Sequence, residues 1–283
     1  MTTTLRPLTP EQPTPDGGRG RLFAVCVNGR PVGRVTVTAR ADAGGPRVGT
    51  ITALGIDRPD RGRGRGTVAA LAAEEVLRGW GCTRARAEIE QGPDQPGALR
   101  LAAALGYTVS SRYLAKQLPD RLPELPPGVH GRPLTAAEFD AWLADETRHS
   151  TDRLIGRGLT PGQAGTAADA ALRSALPYGL DSPHTQLRLL RSAGADVGTI
   201  WLSANSGRSF GAAPLAWVFS IRVAPEHRGH GHGRSLMLLA ERECLDVGVR
   251  QLGLNVDADN VQANALYQSL GYLTTRHILD KEL

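Results

Sequence analysis

Apolar and β-branched residues alternate in three short runs early in the chain, at 25–27, 32–38 and 48–56, and in three later ones, at 187–190, 197–202 and 215–223. Such alternation, bounded by polar turns, predicts antiparallel strands with a buried face. Between 234 and 247 the period changes, with Leu236, Leu239, Ala240, Cys244 and Val247 recurring at helical spacing, which predicts an amphipathic helix. A strand at 251–256, a loop at 257–260, a helix at 261–269 and a strand after Gly271 complete that half. The predicted order is a strand, a helix-rich stretch, three strands, helix, strand, helix, strand. It describes a mixed sheet with helices on its faces, an α/β fold of the α+β mixed-sheet kind.

The pattern occurs twice. Residues 56–66 (IDRPDRGRGRG) align with 223–233 (VAPEHRGHGHG) at an offset of 167. Residues 23–37 align with 188–202 at an offset of 165, placing Gly33 on Gly198, and both read as β-hairpins. LAAALGY ending at Tyr107 matches LYQSLGY ending at Tyr272, and each precedes an alternating stretch closing on Lys116 or Lys281. Arg6-Pro7-Leu8-Thr9 resembles Arg132-Pro133-Leu134-Thr135 at an offset of only 126, so the second copy carries an insertion with two helix-like stretches within 136–186. Proline clusters between the copies, at Pro119, Pro123, Pro126 and Pro127, which suits a stiff linker. The expected division is an N-terminal domain 1–118 lacking the helical pair, a linker 119–128 and a C-terminal domain 129–283.

The chain has 283 residues, 41% hydrophobic and 22% charged, which fits two globular domains. No run approaches the ~18 apolar residues of a membrane helix, and the first residues lack a basic start followed by an apolar core. Cys26, Cys82 and Cys244 are widely spaced and include no Cys-x-x-Cys pair, so neither a disulfide framework nor a cysteine zinc site is indicated. The expected location is cytoplasmic, with no membrane partner. The net charge of +5 is mild, but its basic part is local: Arg58, Arg61, Arg63 and Arg65 crowd one glycine segment, and Arg222, Arg228 and Arg234 with His227, His230 and His232 crowd the other. Two small cationic sites point to a phosphorylated small molecule more than to a nucleic acid.

A strand leading through glycines into a helix presents main-chain N–H groups and a positive helix end to an anion. The dinucleotide fingerprint fails, because the position of its third glycine holds Thr67 in one segment and Arg234 in the other, and neither segment has the lysine of a nucleoside-triphosphate loop. Both instead read Arg-x-x-Gly-x-Gly, as Arg61-Gly62-Arg63-Gly64-Arg65-Gly66 and Arg228-Gly229-His230-Gly231-His232-Gly233. The second copy continues with Asn255 through Asn260, Ala263, Ala265-Leu266-Tyr267 and Leu270-Gly271-Tyr272. In this ordered series the chain resembles the GNAT superfamily of acyl-CoA-dependent N-acetyltransferases, over about 20–118 and 129–283.

The resemblance implies two tandem GNAT-like domains, acetyl-CoA as cosubstrate and a small amine-bearing acceptor. It places the pyrophosphate in both loops and in the second adds Ile221 and Val223 on the strand, Arg234 on the helix, and Asn255 and Asn260 as polar contacts. It assigns Tyr267 the protonation of the departing CoA thiolate during direct attack by a neutral amine. The first copy has Ala102 at the position of Tyr267, and Glu88 and Gln95 near those of Asn255 and Asn260, so catalysis is expected in the second copy. Residues 217–223 carry Ser220 and Arg222 where relatives place an acid; Glu226, Glu146, His149 and Asp152 read as solvated side chains, and Trp142 and Tyr178 as packing residues. The histidines, whose counterparts are Asp60, Arg63 and Arg65, do not form a shared metal-ligand set. The alternative reading is an inactive acyl-CoA-binding or regulatory tandem protein.

Overall fold

The computed structural model describes residues 2–14, 17–40, 47–210 and 213–283. The first copy comprises β1 (Thr3–Pro7), β2 (Gln12–Pro13), β3 (Arg19–Val27), β4 (Arg30–Ala39), β5 (Val48–Ile56), α1 (Arg65–Gly79), β6 (Arg84–Glu90), α2 (Gln95–Ala104) and β7 (Thr108–Gln117). The second comprises β8 (Val129–Pro133), α3 (Ala136–Gly156), α4 (Pro161–Ala175), β9 (Thr185–Ser192), β10 (Ala195–Phe210), β11 (Ala213–Val223), α5 (His232–Asp246), β12 (Gln251–Asp257), α6 (Val261–Ser269) and β13 (Leu273–Glu282). The helical pair predicted for the insertion is α3 and α4. Helix α5 starts two residues before the predicted one, because Gly231 in the left-handed region caps it.

Local chemistry explains the main turns. The β3–β4 hairpin reverses at Asn28 and Gly29 (φ 48° and 83°), and the β9–β10 hairpin at Ala193 and Gly194 (φ 49° and 84°). Paired positive φ angles match the right-handed strand twist. Helix α3 is launched by Thr135 and Glu138, whose carboxylate accepts the Thr135 N–H at 2.9 Å. That reach back to the helix start supplies an acceptor for an otherwise orphan donor. Arg132 on β8 holds the same carboxylate and that of Asp196, both at 2.6 Å, which keeps Glu138 ionised down to about pH 2.

The chain folds as two compact units, and neither is contiguous in sequence. Residues 1–111, 158–163 and 276–283 form one, and 112–157 with 164–275 form the other. The first unit's sheet runs β1–β3–β4–β5–β6 and adds residues 276–282 of β13 antiparallel to β6, from Arg276 opposite Glu90 to Glu282 opposite Arg84. The second runs β8–β9–β10–β11–β12 and includes residues 112–117 of β7. Each sheet therefore takes in the end of the other copy's last strand.

Each core lies between its sheet and the helix after the glycine loop. Helix α1 buries Ala69, Ala73 and Leu77, and α5 buries Leu236, Met237, Ala240 and Cys244. Both buried faces also carry a fully enclosed acid, Glu74 and Glu241. An isolated buried carboxylate is costly, and the exchanged strand ends neutralise both. Lys281 reaches Glu74 at 2.8 Å beneath Tyr107, and Lys116 reaches Glu241 at 2.7 Å beneath Tyr272.

Candidate acyl-donor and acceptor site

Both glycine loops grow from irregular strands. The register of β4 against β5 skips Thr52, and that of β10 against β11 skips Phe219. A bulge bends its strand and re-aims the residues that follow. Parallel pairing of β5 with β6 covers only Val48–Ile51, and that of β11 with β12 only Ala216–Val218. The last residues of β5 and β11 thus keep only their antiparallel partners. Gly33 and Gly198 lie beside these stretches, where a Cβ would sit 2.2 Å from the Gly55 carbonyl oxygen or 2.5 Å from that of Arg222. Their alignment in sequence thus reflects a shared close approach of two backbones.

The loops repeat each other in backbone detail. Gly62 and Gly64 have φ of 72° and 71°, and Gly229 and Gly231 of 81° and 80°, a region that other L-residues enter at a cost. The motif arginine ties each loop to the end of its strand: Arg61 Nε donates to the Ile56 carbonyl at 2.7 Å, and Arg228 Nε to that of Val223 at 3.3 Å. Among the described residues, the N–H groups of Gly62 through Gly66 and of Gly229 through Gly233 find no protein acceptor. A row of unused donors at a helix N-terminus fits a phosphate-type anion.

The side chains around the loops differ. Arg63 is exposed, whereas Arg65 is 5% exposed and paired with the equally buried Asp60, which also accepts from Arg30 at 2.8 Å. In the second loop His230 Nδ1 lies 2.8 Å from the Arg228 carbonyl oxygen, and the His232 ring is 6.1 Å from that of His230. Partial burial, then the neighbouring imidazoles, lower the His232 pKa below its ordinary value. Arg234 donates to Ser269 Oγ at 2.6 Å. Gly233 leaves room for α6, since a Cβ there would lie 3.3 Å from Leu266.

The remaining expected site residues fall in several environments. Ile221 and Val223 are partly buried and pack against the core under α5. Asn255 Nδ2 donates to the Arg112 carbonyl at 3.1 Å, and Asn260 Oδ1 accepts from Ala263 N–H at 3.1 Å as the N-cap of α6. Tyr267 is 5% exposed, its ring 6.1 Å from that of Tyr272. Burial pushes its phenol to about 12, so it keeps its proton at neutral pH. Its counterpart Ala102 lines a cavity of about 410 Å³ in the first unit, with Leu54, Ala87, Leu101 and Tyr107.

Two expectations about the insertion require correction. Glu146 is not solvated: it is 6% exposed and accepts a 2.8 Å hydrogen bond from Ser220 Oγ. Tyr178 does not pack in a core but is 70% exposed, whereas Trp142 is buried against Phe139 and Trp201. Arg222 pairs with Asp145, the residue before Glu146. The sequence did carry a signal for Glu146, since it lies one helical turn after Trp142 and so on the face that Trp142 buries.

Comparison with known proteins adds a family. The model of the acetyltransferase (GNAT) family matches twice, at residues 5–107 and 168–272. A mycothiol acetyltransferase of Thermobispora bispora is 33% identical over 195 residues, which are 66% of this chain and 61% of that relative. One of Frankia casuarinae is 29% identical over 94% of this chain and 77% of its own length. A tandem GNAT protein from the clavulanic acid biosynthesis pathway shares the fold, with a TM-score of 0.51 at 22% identity over 95% of this chain and 84% of its own.

Proposed function

The chain belongs to the GNAT acetyltransferase family, and from that premise we propose that its second copy, residues 129–283, moves an acetyl group from acetyl-CoA to a primary amine by direct attack. The linear domains 1–118 and 129–283 are the repeated units in this reading, with 119–128 as their linker. The observation that carries it is the second loop, where unused N–H groups, two left-handed glycines and a helix start stand at the end of a strand that has left its parallel neighbour. Acetyl-CoA supplies an activated thioester when bound. Gly229 through Gly233 would hold its pyrophosphate, and the open edge of β11 near Val223 offers main-chain donors to a carbonyl on which negative charge develops. Tyr267 holds a proton for sulfur, and its exclusion from water keeps that proton in place until thiolate charge appears beside it.

The first copy serves as a scaffold that keeps a loop of the same shape, because Ala102 has no proton to give. Titration calorimetry with acetyl-CoA tests this on the whole protein and on Gly231→Val and Gly64→Val. Loss of binding with Gly231→Val alone supports the assignment; loss with Gly64→Val alone reverses it. Acetyl-CoA bound at Gly231 without CoA release on any amine in a broad panel would favour the inactive binding module, the reading that fits a β11 without an acid.

A further inference from the structure

Four acidic side chains are at least nine-tenths buried among the described residues: Asp60, Glu74, Glu146 and Glu241. Three have a cation at hydrogen-bonding distance, Asp60 with Arg30, Glu74 with Lys281 and Glu241 with Lys116. Glu146 has none, and its partner is the neutral hydroxyl of Ser220 on one carboxylate oxygen, Oε2. Burying a carboxylate without a paired cation disfavours its charged form and raises its pKa, as it does for Glu146, and groups perturbed in this way cluster at functional sites.

Glu146 meets the end of β11. Asp145 and Glu146 on α3 engage Arg222 and Ser220 on β11, both beyond the bulged Phe219 and past the end of the pairing with β12. Phe219 stacks on Trp201 at 4.7 Å, and Trp201 meets Trp142 edge to face at 5.7 Å, so an aromatic wall fixes the helix turn that carries the acid. The charged groups acting on Glu146 are His149 and Arg153 on its own helix, with the Arg222–Asp145 pair beside it.

We propose that Glu146, oriented by Ser220, binds the ammonium group of the acceptor and takes its proton. This rests on the acetyl-transfer reading for its chemistry but not for its binding. One ammonium proton passes to Glu146 Oε1, leaving a neutral amine. The N–C bond then forms as the C–S bond breaks; sulfur takes the Tyr267 proton, the phenolate recovers one from the new amide nitrogen, and Glu146 releases its own to solvent. The acid missing from the strand is thus supplied by the inserted helix, which the first copy lacks.

The test uses the full chain with n-butylamine as probe, and Glu146→Gln, Glu146→Asp and Ser220→Ala. With acetyl-CoA affinity unchanged, Glu146→Gln is expected to lower kcat/KM for n-butylamine at least tenfold and to remove the acidic limb of its pH profile. Glu146→Asp should restore part of it, and Ser220→Ala should shift the limb. The Tm of Glu146→Gln should equal or exceed that of the wild type, since a buried charge is gone. Glu146→Gln turnover within twofold of wild type, with the same pH profile, overturns the proposal while leaving the acetyl-transfer reading intact. If the wild type does not acetylate n-butylamine, the carboxyl ¹³C resonance of Glu146 decides. A shift with n-butylammonium but not n-butanol supports the site, and no shift overturns it.

Discussion

The first and second units use one backbone plan around two different sets of side chains. Both have a bulged strand, a left-handed glycine pair and an arginine tied to the strand's last carbonyl. Around the first loop a buried Arg65–Asp60 pair occupies the positions that His232 and His227 hold in the second, and Ala102 stands where the second has the enclosed phenol of Tyr267. The insertion places Glu146 against β11, and among the described residues β5 has no corresponding helix. The shape of the glycine loop is therefore a property of its backbone, repeated in both copies whatever side chains surround it. In the proposed chemistry the groups that hold or move a proton are side chains, and these differ between the copies, as Ala102 and Tyr267 do.

The sharpest way to break this comparison is to attack the cations that each core borrows from the other copy's strand. Lys281→Met removes the close cation of Glu74 and leaves Arg78, at 3.9 Å, as its remaining ion-pair partner; it is expected to cost about 3 kcal/mol. Hydrogen exchange should show the loss in α1 of the first unit, although the substitution lies in the last strand; Lys116→Met should loosen α5 in the same way. Restoring neutrality with Glu74→Gln in the Lys281→Met background should recover most of the stability in denaturant unfolding.

Within the proposed chemistry, Tyr267→Phe should reduce kcat by about 10²-fold or more while acetyl-CoA affinity stays within a few-fold. Full activity in this variant would remove the main distinction between the copies. Gly64→Ala and Gly231→Ala should each cost about 1–2 kcal/mol through a left-handed alanine, and the second alone should weaken acetyl-CoA binding in calorimetry.

The smallest effect concerns pH. His232 has a lowered pKa in the folded protein, so the unfolded chain binds more protons just below its ordinary value of about 6.5. Stability from this residue is therefore present above about pH 6.5 and falls as the pH drops toward the lowered folded value. Exchange protection at the start of α5 should decline over that range, while the start of α1, held by Arg65 and Asp60, should not follow it.

Much of this was legible without coordinates. Period-two and period-3.6 patterns placed the hairpins and α5, and the offset between copies put Gly33 on Gly198 and Ala102 on Tyr267. Both kinds of signal are local, because backbone conformation and the identity of an aligned residue are set by a few neighbours. The burial of Glu146 was less accessible. An acid in a polar helical stretch looks solvated until the face it occupies is known, and that face is set by the packing of Trp142 on Trp201. Asn260 was legible as a polar residue before a helix, but its bond to Ala263 is a matter of cap geometry.

The duplicated element order, the two glycine loops and the alanine at position 102 were set by the sequence alone, since these follow from short-range periodicity and residue identity. Tertiary structure alone decided that residues 112–117 and 276–283 complete the opposite units, that Lys116 and Lys281 neutralise Glu241 and Glu74, and that Glu146 meets Ser220. These contacts join residues 74 to 207 positions apart. No local pattern encodes such pairings; they arise because buried charge must find a partner wherever the folded chain can bring one.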